Sequence, residues 1–142
     1  MRPTPSQTVG PFFYFGLCER PTADLGSVPL RGRVFDGAGK PVPDAMVEIW
    51  HRDLGWARCG TDDEGDFAFT IERVPHLNVQ IFARGLLKQV YTRMYFAADE
   101  GDGLLDELAP EVRATLVAES DGAGYRFDIH LQGDKQTAFF AL

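Results

Sequence analysis

Three side chains on one short stretch have the types that do chemistry. They are the imidazole of His76, the carboxamide of Asn78 and the guanidinium of Arg84, in Pro75-His76-Leu77-Asn78-Val79-Gln80-Ile81-Phe82-Ala83-Arg84. The stretch alternates apolar and polar residues throughout, which reads as a strand. Leu77, Val79, Ile81 and Ala83 then share one face, and His76, Asn78, Gln80, Phe82 and Arg84 share the other. The first face is core, and the second is left for chemistry or water. His76 and Asn78 project side by side. Arg84 lies about 26 Å farther along at roughly 3.3 Å per residue, so the two ends cannot easily serve one small site. At the first end stand a histidine and a neutral amide. At the second, an arginine before Gly85 is either a solvated edge charge or a cation placed for an anionic ligand. Other candidates carry less. His51 and His130 sit on separate stretches without a partner pattern, and Asp62-Asp63 falls in a turn, a poor place for general acid work. Cys18 and Cys59 make neither a spaced metal motif nor a disulfide framework, and read as a reduced structural pair.

A chain of 142 residues, 44% hydrophobic and 12% aromatic, can bury one sizeable core and is short for two. Its formal charge of -7 and pI near 4.8, without a run of lysine or arginine, argue against nucleic acid or an anionic membrane surface as partner. Met1 to Leu30 has no basic start followed by an apolar run, so a cytoplasmic location is the default expectation.

The elements that must position these residues are strands. Leu30–Asp36 alternates and runs into the turn Asp36-Gly37-Ala38-Gly39-Lys40, whose glycines and aspartate suit a tight reversal. Met46–His51 reads as a second strand, and Asp66–Glu72 as a third, with Phe67, Phe69 and Ile71 facing one way. The His76 stretch is the fourth. Val90–Ala97 is the fifth, with Val90, Thr92, Met94 and Phe96 opposed to Tyr91, Arg93 and Tyr95. Tyr125–Gln132 alternates again, and Gln136–Ala141 is expected to close the sheet. Residues 98–119 break the rhythm and predict an acidic loop with one or two short helices, one beginning at Pro110. The prolines of residues 3–11 exclude helix and central strand there. The aromatic run Phe12-Phe13-Tyr14-Phe15 either tucks over the chain's own core or anchors in a partner. The fold expected is all-β: an extended arm over residues 1–29, then a single β-sandwich over 30–142 with a short helical or loop insert near 98–119.

Two matches make the pattern specific: Thr4-Pro5-Ser6-Gln7-Thr8-Val9-Gly10-Pro11-Phe12, and Pro75-His76-Leu77-Asn78 running through Phe82-Ala83-Arg84-Gly85 to Thr92-Arg93-Met94-Tyr95-Phe96. With Tyr125-Arg126-Phe127-Asp128-Ile129 and Gln132-Gly133, they resemble the intradiol ring-cleaving dioxygenases, and within them the alpha subunits of the protocatechuate 3,4-dioxygenase type. The resemblance covers nearly the whole chain. It implies a heteromer of alpha and beta chains on one sandwich fold. It also implies a non-haem ferric iron, Fe(III), held in the beta chain by two tyrosines and two histidines, and insertion of oxygen between the hydroxyl-bearing carbons of a catechol to give a carboxymuconate. Phenolate ligands suit so hard and highly charged an ion.

The family's ligand pair is a His-x-His on the strand of His76, and here the second position is Asn78. The upstream segment Ile71-Glu72-Arg73-Val74-Pro75 has no tyrosine, and between Trp50 and Gly60 the only aromatic is Trp56. His76 and Asn78 are thus expected to be vestigial metal-site positions, with no metal bound by this chain alone and no catalytic residue in it. The resemblance instead assigns Thr8, Gly10, Pro11, Phe12 and Arg84 to the wall of the substrate pocket. Two functions follow as expectations. One is an alpha-type subunit supplying pocket wall and assembly contacts to a beta-type subunit, an aromatic dihydroxy acid and O2. The other is a sandwich of the same descent that has lost catalysis and serves as a binding or structural module.

Overall fold

The computed structural model describes Gly10 and residues 12–18, 22–99 and 102–141. In chain order the elements are α1 (Phe12–Cys18), β1 (Asp24–Leu25), β2 (Val28–Phe35), β3 (Met46–His51), β4 (Gly55–Gly60), β5 (Asp66–Ile71), β6 (His76–Phe82), β7 (Val90–Tyr95), α2 (Gly103–Asp106), α3 (Pro110–Ala114), β8 (Glu119–Ser120), β9 (Tyr125–Arg126) and β10 (Ile129–His130). They form two packed sheets. One has the order β4-β3-β6-β7 and is antiparallel throughout; the other runs β1-β5-β2-β9-β8, with β10 also pairing β2.

Alternation is what closes the sandwich. Leu77, Val79 and Ile81 of β6, with Val47 and Ile49 of β3, meet Leu30 and Val34 of β2 and Phe67, Phe69 and Ile71 of β5 in one buried cluster. Burying each such side chain contributes roughly 1.5–3 kcal/mol relative to leaving it in water. The reversal after β2 uses Asp36, whose Oδ1 accepts the N–H groups of Ala38 and Lys40, while Gly39 takes a positive φ of 74°. Gly32 is needed for a different reason. A Cβ there would stand 1.9 Å from the carbonyl oxygen of Phe127 and 2.5 Å from the Phe67 ring, so only glycine lets the β9–β10 corner cross β2.

Several expectations need correction. Within the stretch expected to be an extended arm, residues 12–18 are helical, because tertiary docking overrides the local pattern: the Tyr14 hydroxyl donates to the Thr61 carbonyl at 2.6 Å, and Cys18 packs where a Cβ on Gly60 would stand. Residues 55–60, to which the sequence pattern assigns no strand, form β4 along the full length of β3. The long strand expected over 125–132 is interrupted at Phe127–Asp128, where the Asp128 carboxylate accepts the N–H of Arg33 at 3.0 Å. The 136–141 segment is not a strand; it makes an isolated bridge from Phe140 to Tyr91. The insert does carry two short helices, with Pro110 at the start of α3 and Asp102 capping α2 through the Leu105 N–H. It also covers β7: Tyr95 exchanges backbone hydrogen bonds with Leu116 and Ala118, and its ring is fully buried in a second cluster with Leu105 and Leu116.

Candidate functional site

Strand β6 lies between β3 and β7, and the pairing decides which side chains meet. His76 is opposite Tyr95, and Asn78 is opposite Arg93 on one side and Trp50 on the other. Directly paired residues project to the same face, so His76, Asn78, Arg93 and Tyr95 form one patch outside the main core. Asp102 drops onto that patch from the insert. Its Oδ2 sits 2.7 Å from Arg93 Nη1 and 4.0 Å from His76 Nδ1, and its Oδ1 accepts the Tyr95 hydroxyl at 2.8 Å. Asn78 is used at both ends: Oδ1 accepts from Arg93 Nε at 3.3 Å, and Nδ2 donates to the Trp50 carbonyl at 3.3 Å. The buried ring of His51 stands edge-on to that of His76, with centroids 5.7 Å apart, and its Nδ1 accepts the Asp53 N–H.

The electrostatics follow from these contacts. Partial burial pushes the His76 imidazole below its ordinary range, helped by the Arg93 and His51 charges and opposed by Asp102. Burial and the Asp102 carboxylate together raise the Tyr95 phenol, against the Arg93 contact. Asp102 is pulled upward by desolvation, but the Tyr95 hydroxyl, the Leu105 N–H and the Arg93 and His76 charges hold it below the usual carboxylate range.

This donor set does not fit a ferric iron. Of the resemblance's two histidines only His76 is present. The one phenol beside it, Tyr95, is buried and donates to the Asp102 carboxylate, and a guanidinium stands directly across from Asn78. Among the described residues no group of three or more His, Cys, Asp or Glu side chains is placed to hold a metal ion.

The far end of β6 is open. Arg84 follows the strand and precedes Gly85, whose φ is 92°; its side chain is 62% exposed and its Nη2 lies 3.0 Å from Asp44 Oδ2 in the β2–β3 connection. Gly10 is exposed, with nothing within 4 Å of where a Cβ would stand. Phe12 opens α1, while Thr8 and Pro11 lie outside the described residues. His76 and Arg84 are therefore at opposite ends of one strand, as their spacing requires. Asp62 serves its turn, accepting the N–H groups of Glu64 and Asp66, and His130 stacks on Phe35. Sequence reasoning missed Asp102, the facing of Arg93 and Tyr95 onto His76 and Asn78, the approach of His51, and Asp44. The alternation of residues 90–97 already put Arg93 and Tyr95 on one face, but nothing local says which strand lies beside them.

With this geometry in place, relatives can be compared. The chain is 36% identical over 192 residues to the protocatechuate 3,4-dioxygenase alpha chain of Burkholderia cepacia, covering 99% of this chain and 98% of that one. The chain belongs to the family of these alpha chains. The Pseudomonas putida alpha chain is 30% identical over 194 residues, covering 96% of this chain and 95% of its own. A Burkholderia cepacia beta chain of the same enzyme is 27% identical over 155 residues, covering 78% of this chain and 66% of its own. Among solved structures, the dioxygenase domain of a dioxygenase carbohydrate-binding protein fusion from Streptomyces sp. SirexAA-E matches with a TM-score of 0.56 and 25% identity, covering 93% of this chain and 99% of that chain. No family model matches the chain. An alignment of 192 positions against 142 residues leaves at least 50 positions of the alpha-chain relative without a counterpart here. The tight turn between His51 and Gly55 and the short link from Ile71 to His76 match that economy.

Proposed function

We propose that this chain is the alpha-type subunit of a protocatechuate 3,4-dioxygenase, assembled with a homologous beta-type chain and contributing substrate-pocket wall to intradiol cleavage of a catechol by O2. The observation that carries this reading is the similarity to an alpha chain along 99% of this chain. The geometry supports it from two sides. The His76 end of β6 does not fit a ferric iron, so the iron is assigned to the beta-type chain. The Arg84 end offers an exposed cation on a protein of formal charge -7.

In this reading Arg84 receives the carboxylate of a dihydroxybenzoate, the group that takes no part in ring opening. A planar guanidinium can donate two parallel hydrogen bonds to one carboxylate, and it offsets the repulsion of an acidic protein for an anionic substrate. Thr8, Gly10, Pro11 and Phe12 form the adjoining wall, where glycine lets the backbone approach a ligand closely. The excess of acidic residues disfavours nucleic acid, and among the described residues no helix is long and apolar enough to cross a membrane. A cytoplasmic enzyme subunit is the location that accords with this.

A second reading has one observation in its favour: the at least 50 positions missing relative to the alpha-chain relative. A sandwich so trimmed can serve as a non-catalytic binding or structural module. Co-expression with the beta-type chain separates the two. The subunit reading expects a stable hetero-oligomer that consumes O2 and protocatechuate, with activity lost when this chain is omitted. A beta-type chain equally active without it, or no complex at all, supports the module.

A further inference from the structure

The contacts around Asn78 point beyond a metal position that has merely lost a ligand. We propose that the Arg93 guanidinium is the cation this position is now built around, and that Arg93, together with the change to Asn78, closes it to metal ions. The inference rests on the placement of His76 and Asn78 at the family's His-x-His and is independent of whether the subunit is catalytically engaged.

Arg93 is the direct cross-strand partner of Asn78, and its side chain, 30% exposed, is held by two acceptors. Nη1 donates to Asp102 Oδ2 at 2.7 Å and Nε to Asn78 Oδ1 at 3.3 Å. The amide at 78 suits this arrangement. Its oxygen accepts from the guanidinium while its nitrogen donates to the Trp50 carbonyl, so one side chain satisfies both neighbouring strands. Asp102, the one carboxylate on the patch among the described residues, is fully engaged. One oxygen faces Arg93, and the other accepts from the Tyr95 hydroxyl and the Leu105 N–H. A metal ion entering beside His76 would meet the positive charge of the Arg93 guanidinium and a carboxylate already neutralised by it. Asn78 and Arg93 thus act as a matched pair: restoring the histidine alone leaves the cation in place.

The test is uptake of Co2+ and Zn2+ by the full untagged chain, followed by calorimetry and by the visible absorption of bound Co2+. The variants are Asn78→His, Asn78→His with Arg93→Gln, and Asn78→His with Arg93→Lys. Gln removes the charge and keeps a hydrogen-bonding amide; Lys keeps the charge and loses the fork. Asn78→His alone is expected to bind no more tightly than the unaltered chain. The Gln double variant is expected to take up one equivalent at least about tenfold more tightly. The Lys double variant should resemble Asn78→His alone. Circular dichroism confirms folding, and Arg93→Met replaces Arg93→Gln if that variant does not fold. Binding by Asn78→His alone as tight as that of the charge-free double variant overturns the proposal. So does a charge-free double variant that binds no better than Asn78→His, or a Lys double variant that binds as well as the Gln one.

Discussion

The two ends of β6 carry the same kind of material, polar side chains facing away from the core, and treat it in opposite ways. At the His76 end Asp102, Arg93, Asn78, Tyr95 and the Trp50 carbonyl form one hydrogen-bonded network under the insert. At the Arg84 end the ion pair to Asp44 leaves the guanidinium 62% exposed. One end holds structure together; the other keeps a charge available. On the proposal above, the carboxylate at this end is served by a cation from the chain's own sequence, Arg93.

The contrast is broken most directly at Asp102. Asp102→Ala removes the acceptor of both Arg93 and the buried Tyr95 hydroxyl and uncaps α2, and should lower stability by about 2–3 kcal/mol, measured by urea unfolding. A loss within about 0.5 kcal/mol, the ordinary range for surface substitutions, would make the network incidental.

Acid should sharpen the difference next. His76 sits below its ordinary value of 6.5 in the folded chain, so below that value the unfolded chain binds more protons and stability falls as pH drops. Asp102 lies below its ordinary 3.8, so its contribution is present above that value and is lost as pH falls through the lowered one. Both act in the same direction. Urea midpoints should decline on acidification from neutral pH, and His76→Gln should flatten the part of that decline nearest 6.5. A midpoint that rises between pH 7 and about 5.5 would contradict the charges assigned here.

The smallest effect belongs to the open end. An exposed ion pair contributes about 0–1 kcal/mol, so Asp44→Asn should scarcely move the unfolding midpoint. Its effect should appear instead in the assembled enzyme, as a modest change in KM for a carboxylated catechol with kcat unaltered. A stability loss rivalling that of Asp102→Ala would erase the distinction between the two ends.

How far these features could be read from sequence depends on the range of the interaction. The alternation Leu77, Val79, Ile81, Ala83 predicts a buried face because period two is a local property, and all four are buried. The Asp36 turn and Pro110 are legible for the same reason. Strand β4 was not, because Gly55-Trp56-Ala57-Arg58-Cys59-Gly60 has no β-branched residue and becomes a strand through its pairing with β3. Helix α1 was hidden too, since a run of aromatics has no period and its contacts to Gly60 and Thr61 come from a distant strand. At the candidate site the departures from the family's ligand pattern were visible residue by residue. The surroundings of Asn78 were not, because Arg93 reaches it across a strand pairing and Asp102 arrives from a loop.

The central claim, that this chain supplies the pocket's cation while the partner supplies the metal, is tested most directly by Arg84→Met in the complex co-expressed with the beta-type chain. kcat/KM is measured for protocatechuate and for a catechol without the carboxylate, once assembly and iron content are shown to be intact. The account predicts a loss of roughly ten- to a hundredfold for protocatechuate, corresponding to a charge-assisted hydrogen bond of about 1.5–3 kcal/mol, and almost none for the carboxyl-free substrate. Equal losses for both substrates, or no loss for either, would contradict it.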